Sequence, residues 1–136
     1  MKPKSILIID ENPGFLSASI EYFSIELGIN LVSWAVSPQE AVSKFFNFSP
    51  DLVILDLGMK TLKGRDLTSW FKNQANAPKV MITSFYDNED YRNFAKDLGA
   101  DGFMKKVNYR AAYTELILHL NQDFGKIRKE SNHLLN

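Results

Sequence analysis

The 136-residue sequence has no cysteine, no net charge and no long hydrophobic run. Without cysteine the chain has no disulfide and no thiolate metal site, as is common inside cells. Because 16 Lys and Arg balance 16 Asp and Glu, no overall field favours nucleic acid or an anionic membrane surface. The apolar runs are far shorter than the roughly 20 residues of a membrane span. We therefore expect a soluble, cytoplasmic protein that binds neither membrane nor nucleic acid directly.

Two short apolar runs in the sequence end in carboxylates. Ser-Ile-Leu-Ile-Ile leads into Asp10 and Glu11, and Leu-Val-Ile-Leu leads into Asp56. Unbroken runs rich in β-branched residues are typical of strands buried on both faces of a parallel sheet. A carboxylate at the C-terminal end of such a strand lies where α/β sheets place their ligands. Taken alone, each acid is equally well explained as a solvated strand-end residue.

Strand-like and helix-like segments alternate five times along the chain. Helix starts are marked by Asn12 before Pro13, by the capping box at 37–40, by Asp87 or Asn88, and by Asn108. Further strands are predicted at 31–36, 79–83 and 102–104. This alternation predicts an α/β fold, in which helices cover both faces of a five-stranded parallel sheet.

The predicted strand ends carry a specific set of polar side chains. Besides the acids, the fourth strand ends in Thr83 and Ser84, and the fifth ends near Lys105 and Lys106. The C-terminal ends of parallel strands lie along one rim, so these groups face one crevice. Three carboxylates in one pocket repel each other unless a cation joins them, and their oxygens suit Mg²⁺. A carboxylate can also attack phosphorus, while a metal, an ammonium and a hydroxyl stabilise the transferred phosphoryl group.

This set of segments resembles the receiver domain of two-component response regulators, the CheY-like family. The resemblance covers residues 5 to about 122 and implies the flavodoxin-like strand order 2-1-3-4-5, as is known for this family. It implies a receiver domain at 1–122, followed by a C-terminal helical extension or linker at 123–136. The matching motifs are ILIIDEN at 6–12, DLVILDLGM at 51–59, Gly64, VMITS at 80–84 and GADGFMKK at 99–106.

The resemblance implies that Asp56 accepts a phosphoryl group from a histidine kinase or a phosphotransfer protein. Thr83 would be the switch hydroxyl and Phe103 the switch aromatic. The catalytic lysine of the family falls three residues after that aromatic, which indicates Lys106 rather than Lys105. The domain would then be a signalling module rather than an enzyme, catalysing only its own phosphorylation and dephosphorylation.

The same resemblance implies a Mg²⁺ site and a signalling surface. Asp10, Glu11 and Asp56 would hold Mg²⁺ together with the backbone carbonyl of Gly58. Phosphorylation would switch the face formed by the fourth helix, the fifth strand and the fifth helix. That face would then bind a partner or a second copy of the chain in a phosphorylation-dependent homodimer.

The sequence departs from the family pattern at three positions. Glu11 replaces the usual second Asp, Lys60 replaces a Pro, and Val107 replaces the Pro that follows the lysine. A cis bond before a non-proline residue costs about 2.5–4 kcal/mol, so the bond between Lys106 and Val107 is predicted to be trans.

By resemblance, the residues two past the acceptor and two past the switch hydroxyl border the approach of water to the phosphoryl group. Here they are Gly58 and Phe85. Gly58 has no side chain, and Phe85 is large and apolar, so the pair predicts a shielded, long-lived aspartyl phosphate. The alternative is that Phe85 points into solvent or packs on the fourth helix.

Two competing functions remain at this stage. Glu11 and Val107 are compatible with a degenerate receiver that acts as a phosphorylation-independent protein-binding module. A metal-dependent phosphatase with an aspartyl nucleophile is the other competitor. That chemistry requires a second acid two residues after the nucleophile, where this chain has Gly58, so the phosphatase hypothesis is the weakest.

Overall fold

Five parallel strands form the central sheet in the computed structural model, which describes residues 3–59, 61–62 and 65–118. Their spatial order is β2-β1-β3-β4-β5, and each neighbouring pair is parallel. The sheet predicted from the sequence, with its order 2-1-3-4-5, is therefore confirmed. The strands are β1 (Ser5–Ile9), β2 (Leu31–Ala35), β3 (Leu52–Asp56), β4 (Lys79–Ser84) and β5 (Gly102–Lys105).

The described residues form five α-helices, of which four lie between strands and the fifth follows β5, and three of the predicted caps are present. Asn12 Oδ1 accepts a hydrogen bond from Phe15 N at 2.9 Å, and Ser37 Oγ accepts one from Glu40 N at 3.1 Å. Asn88, rather than Asp87, caps the fourth helix. The helices are α1 (Pro13–Glu21), α2 (Pro38–Phe48), α3 (Leu67–Lys72), α4 (Glu89–Asp97) and α5 (Tyr109–Leu118).

Apolar residues recur at helical spacing up to Leu27, which predicts a helix that ends at Gly28, but α1 ends earlier, at Glu21. After α1 the chain forms a π-helical turn at Tyr22–Glu26, and Gly28 then takes a positive φ of 68°. The turn leaves Tyr22 and Phe23 both buried against α5, with ring centroids 5.9 Å and 4.5 Å from that of Tyr113. A tertiary aromatic contact thus accompanies a change in helix type that local periodicity does not reveal.

Two other details were not predicted. A short antiparallel pair joins Thr61–Leu62 to Arg65–Asp66, and Asp66 Oδ1 caps α3 by accepting from Ser69 N. Asn108 has a φ of 60°, and its backbone carbonyl accepts from Ala111 N at 3.1 Å. The backbone therefore makes a contact at the start of α5 where a side-chain cap was expected.

Alternate residues of each strand enter two separate core layers. Ile6 and Ile8 of β1 belong to the layer beneath α1 and α5, whereas Leu7 and Ile9 belong to the layer beneath α2, α3 and α4. All four side chains are fully buried, which explains the unbroken apolar runs in the sequence. Within the described part of the chain, no helix has the length and apolarity to cross a membrane.

Some sequence predictions concern residues outside this description. Lys60 and Gly64 are among them, as are the predicted domain boundary at residue 122 and the extension at 123–136.

Candidate functional site

The carboxylates of Asp10 and Asp56 meet at the ammonium of Lys106. Lys106 Nζ lies 2.6 Å from Asp10 Oδ2 and 2.8 Å from Asp56 Oδ1. Because β1 and β3 are neighbours in the sheet, their C-terminal ends bring the two acids to one rim. The side chains of Lys106 and Asp10 are only 3% and 2% exposed, whereas that of Asp56 is 18% exposed. Of the three charged groups, Asp56 is therefore the most accessible to an external reactant.

Backbone amides hold the remaining oxygen of each carboxylate. Asn12 N donates to Asp10 Oδ1 and Gly58 N donates to Asp56 Oδ2, both at 2.9 Å. A Cβ at position 58 would lie 2.9 Å from Asp56 Oδ2, too close for an undistorted contact. A side chain at position 58 would therefore require the Asp56 carboxylate to shift.

The buried position of Asp10 disfavours the charged form of its carboxyl group. Burial raises the pKa of its carboxyl group above the ordinary value, and the close contact and charge of Lys106 act in the opposite direction. The short contact of Asp10 Oδ2 with Lys106 is an ion pair that lacks good hydrogen-bond alignment. This oxygen therefore keeps acceptor capacity for a cation.

Thr83 lies at the same rim as Asp56. The two residues are direct partners in the register of β3 and β4, so their side chains point to the same face of the sheet. Thr83 is fully buried, and its Oγ1 has no hydrogen-bond partner among the residues described. A buried hydroxyl without a partner is energetically costly and is available to bind a group placed on Asp56.

Phe103 lies on the other side of the sheet. Its side chain is buried in the layer that contains Ile82, Ala95 and Ala100. Thr83 and Phe103 are therefore separated by the sheet.

Glu11 stands apart from the two buried acids. It is exposed, and it makes no ion pair with any residue that the structure describes. No group of three or more His, Cys, Asp or Glu side chains is placed to hold a metal ion within the described ranges. The structure thus brings together Asp10 and Asp56 of the predicted metal ligands, with Gly58 beside Asp56.

The environment of the lysine contains two aromatic rings. Lys106 Nζ lies 4.8 Å from the ring centroid of Phe15 and 4.7 Å from that of Phe85. By resemblance Phe85 borders the site, whereas nothing in the sequence predicted that Phe15 would lie there. No peptide bond in the described chain is cis, so the bond between Lys106 and Val107 is trans as predicted.

A family model described as the response regulator receiver domain matches residues 6–117. This chain belongs to that family. Receiver domains are signalling domains of two-component systems. Response regulator protein VraR of Staphylococcus saprophyticus is 31% identical over 117 residues, which are 85% of this chain and 55% of the relative. The chain spans about half the length of the curated relatives it matches.

Solved structures share the receiver fold. The CheX-CheY-BeF3-Mg complex from Borrelia burgdorferi superposes with a TM-score of 0.66 at 24% identity, covering 83% of this chain and 90% of that chain. The structure of CheY6 with the P1 domain of CheA3 from R. sphaeroides gives a TM-score of 0.66 at 23% identity, covering 78% and 84%. At these identities the likeness concerns the fold.

Proposed function

We propose that Asp56 is the phosphoacceptor of this receiver domain and that a histidine kinase or a phosphotransfer protein supplies the phosphoryl group. The observation that carries the proposal is the ion pairing of a partly exposed Asp56 with a buried Lys106, which also contacts Asp10. A structural neighbour is described as a complex with a P1 domain of CheA3, which supports a partner of this class.

In the proposed reaction, an Asp56 oxygen forms a bond to phosphorus while the bond from phosphorus to the donor breaks. The electron pair of that bond leaves with the donor. Lys106, already within 2.8 Å of Asp56 Oδ1, would then hold a phosphoryl oxygen. The unpaired Thr83 Oγ1 would donate a hydrogen bond to another.

Asp10, Glu11, Asp56 and the carbonyl of Gly58 would hold Mg²⁺ at this rim. The donor set is made of hard oxygens, and Asp10 Oδ2 has spare acceptor capacity, so Asp10 and Asp56 fit the ion as they stand. Glu11, which stands apart in this structure, would turn towards the ion when it binds. When bound, the ion would neutralise charge on the transferred phosphoryl group. Lys106 contacts the same two carboxylates, so the lysine and the ion would share them.

We expect Glu11→Ala to lower the affinity for Mg²⁺ by about tenfold, because it removes one carboxylate of the proposed ligand set. Isothermal titration calorimetry with MgCl₂ measures the change. Glu21→Ala, at another exposed glutamate, serves as the control and should bind Mg²⁺ as wild type does. An unaltered affinity in Glu11→Ala would remove Glu11 from the site.

The proposed signalling surface is the face formed by α4, β5 and α5. Tyr91 and Phe94 on α4 are large and exposed, so the face offers apolar area for a partner or for a homodimer. Phosphorylation would move Thr83 towards the phosphate and repack Phe103 on the opposite side of the sheet. We place this signalling in the cytoplasm, with no direct role for nucleic acid.

The deciding experiment is the intact mass of the protein after incubation with acetyl phosphate and MgCl₂. The protein is expected to gain the mass of one phosphoryl group, and EDTA should suppress the gain. Absence of any gain, together with failure to bind beryllofluoride, would contradict the proposal. That result would favour the alternative of a degenerate receiver that binds partners without phosphorylation.

A further inference from the structure

The ammonium of Lys106 is enclosed by two carboxylates and two aromatic rings. The carboxylate contacts are 2.6 Å and 2.8 Å long, and the ring centroids of Phe15 and Phe85 lie 4.8 Å and 4.7 Å from Nζ. We propose that these rings form an aromatic clamp that positions Lys106 between Asp10 and Asp56. Phe85 is then a positioning residue for phosphoryl transfer, a role that rests on the function proposed above.

Aromatic rings suit this task because they attract the cation without offering a strong acceptor that would draw its N–H donors away from the carboxylates. The face of a phenyl ring carries partial negative charge, and a cation within about 6 Å of the centroid is attracted to it. A lysine side chain is long and flexible and has three rotatable donors. Rings beside the ammonium limit the positions it can take and keep it in contact with the two acids.

The two rings have different surroundings. Phe15 is 7% exposed and packs edge-on against Tyr109, with centroids 5.5 Å apart, so it forms a fixed wall. Phe85 is 51% exposed and presents one part of its surface to Lys106 and another to solvent. Phe85 is therefore the ring that can be altered without disturbing the core.

The backbone keeps Phe85 and Lys106 next to each other. Lys106 N donates to the carbonyl of Ser84 at 2.8 Å, which ties the residue after β5 to the last residue of β4. Phe85 follows Ser84 directly. This hydrogen bond links the segment that contains the ring of Phe85 to the segment that contains the ammonium of Lys106. A shift of one segment therefore moves the other.

A clamp differs from a simple shield over the phosphoryl group. A shield excludes water whether or not the lysine is present. A clamp affects the reaction only through the ammonium that it positions. Replacing Phe85 and Lys106 separately and together distinguishes the two.

The first test observes the ammonium without any phosphorylation. In ¹⁵N-resolved NMR of the lysine NH₃⁺ groups, the Lys106 signal, identified by its loss in Lys106→Met, should show an upfield ring-current shift. Phe85→Leu should reduce that shift, because leucine keeps apolar bulk but has no ring. Tyr86→Leu, at the exposed neighbouring aromatic residue, should leave it unchanged. A Lys106 signal that is the same in wild type and Phe85→Leu would overturn the clamp.

The second test measures the rate of phosphorylation by acetyl phosphate. Phe85→Leu should lower the rate of phosphorylation by about tenfold, which is the scale of a desolvated cation–π contact. Phe85→Trp keeps an aromatic ring at this position and should be phosphorylated at about the wild-type rate. In a Lys106→Met background, Phe85→Leu should have no further effect. An equal loss in both backgrounds would show that Phe85 acts without the lysine and would contradict the proposal. If wild type takes up no phosphate, the proposed function fails, while the NMR result still decides the clamp.

Discussion

Asp56→Asn is expected to abolish the incorporation of phosphate while leaving the fold intact. The amide that replaces the carboxylate is not a nucleophile towards phosphorus, but it has nearly the same size and shape. Its oxygen can still contact Lys106 or accept a hydrogen bond from the amide of Gly58, as the Asp56 carboxylate does in the wild type. Intact mass after incubation with acetyl phosphate and MgCl₂ gives the result, and thermal unfolding reports whether the fold is retained.

The matched control for this change is Asp97→Asn, an exposed acid at the end of α4. It removes the same charge at a residue that makes no ion pair with the site, and the variant should take up phosphate as wild type does. A phosphoryl group gained by Asp56→Asn at the wild-type rate would mean that another residue is the acceptor.

Lys106→Met is expected to destabilise the protein at pH 7 by about 3 kcal/mol. The ammonium and the Asp10 carboxylate are both almost fully buried, and removing one member of a buried pair leaves the other charge uncompensated. The free energy of unfolding in urea, with EDTA present, measures the loss. Lys105→Met is the control: Lys105 is half-buried and adjacent in sequence, and its replacement should cost much less.

The same variant should show an altered dependence of stability on pH. The folded-state pKa of Asp10 is already raised by burial, and loss of Lys106 removes an influence that lowers it. An acid with a raised folded-state pKa stabilises the fold below its unfolded pKa of about 3.9, and this contribution is lost as the pH rises through the folded value. The deficit of Lys106→Met should therefore be largest at neutral pH and smaller in acid.

Asp10→Asn combined with Lys106→Met identifies the cause of that deficit. Without the Asp10 charge, no fully buried carboxylate is left unpaired, so the double variant should recover most of the lost stability at pH 7. A double variant as unstable as Lys106→Met would instead attribute the loss to packing of the lysine stem.

The sequence by itself determined the sheet, most helix starts and the residues at the strand ends. These features depend on local rules: a strand buried on both faces needs an unbroken apolar run, and Asn12 and Ser37 cap helices through neighbours three residues away. Together with the strand order that the resemblance to receiver domains implied, those rules were enough to bring Asp10 and Asp56 to one rim. Thr83 was assigned to that rim for the same reason.

Only the tertiary structure decided how the side chains at that rim pair with one another. The contact of Lys106 with both acids, the two rings beside it and the exposure of Glu11 depend on the packing of segments distant in sequence. The π-helical turn after α1 likewise accompanies contacts with Tyr113 on α5. Periodicity and capping describe interactions between residues a few positions apart, whereas these arrangements are set by the direction in which each side chain leaves a folded backbone.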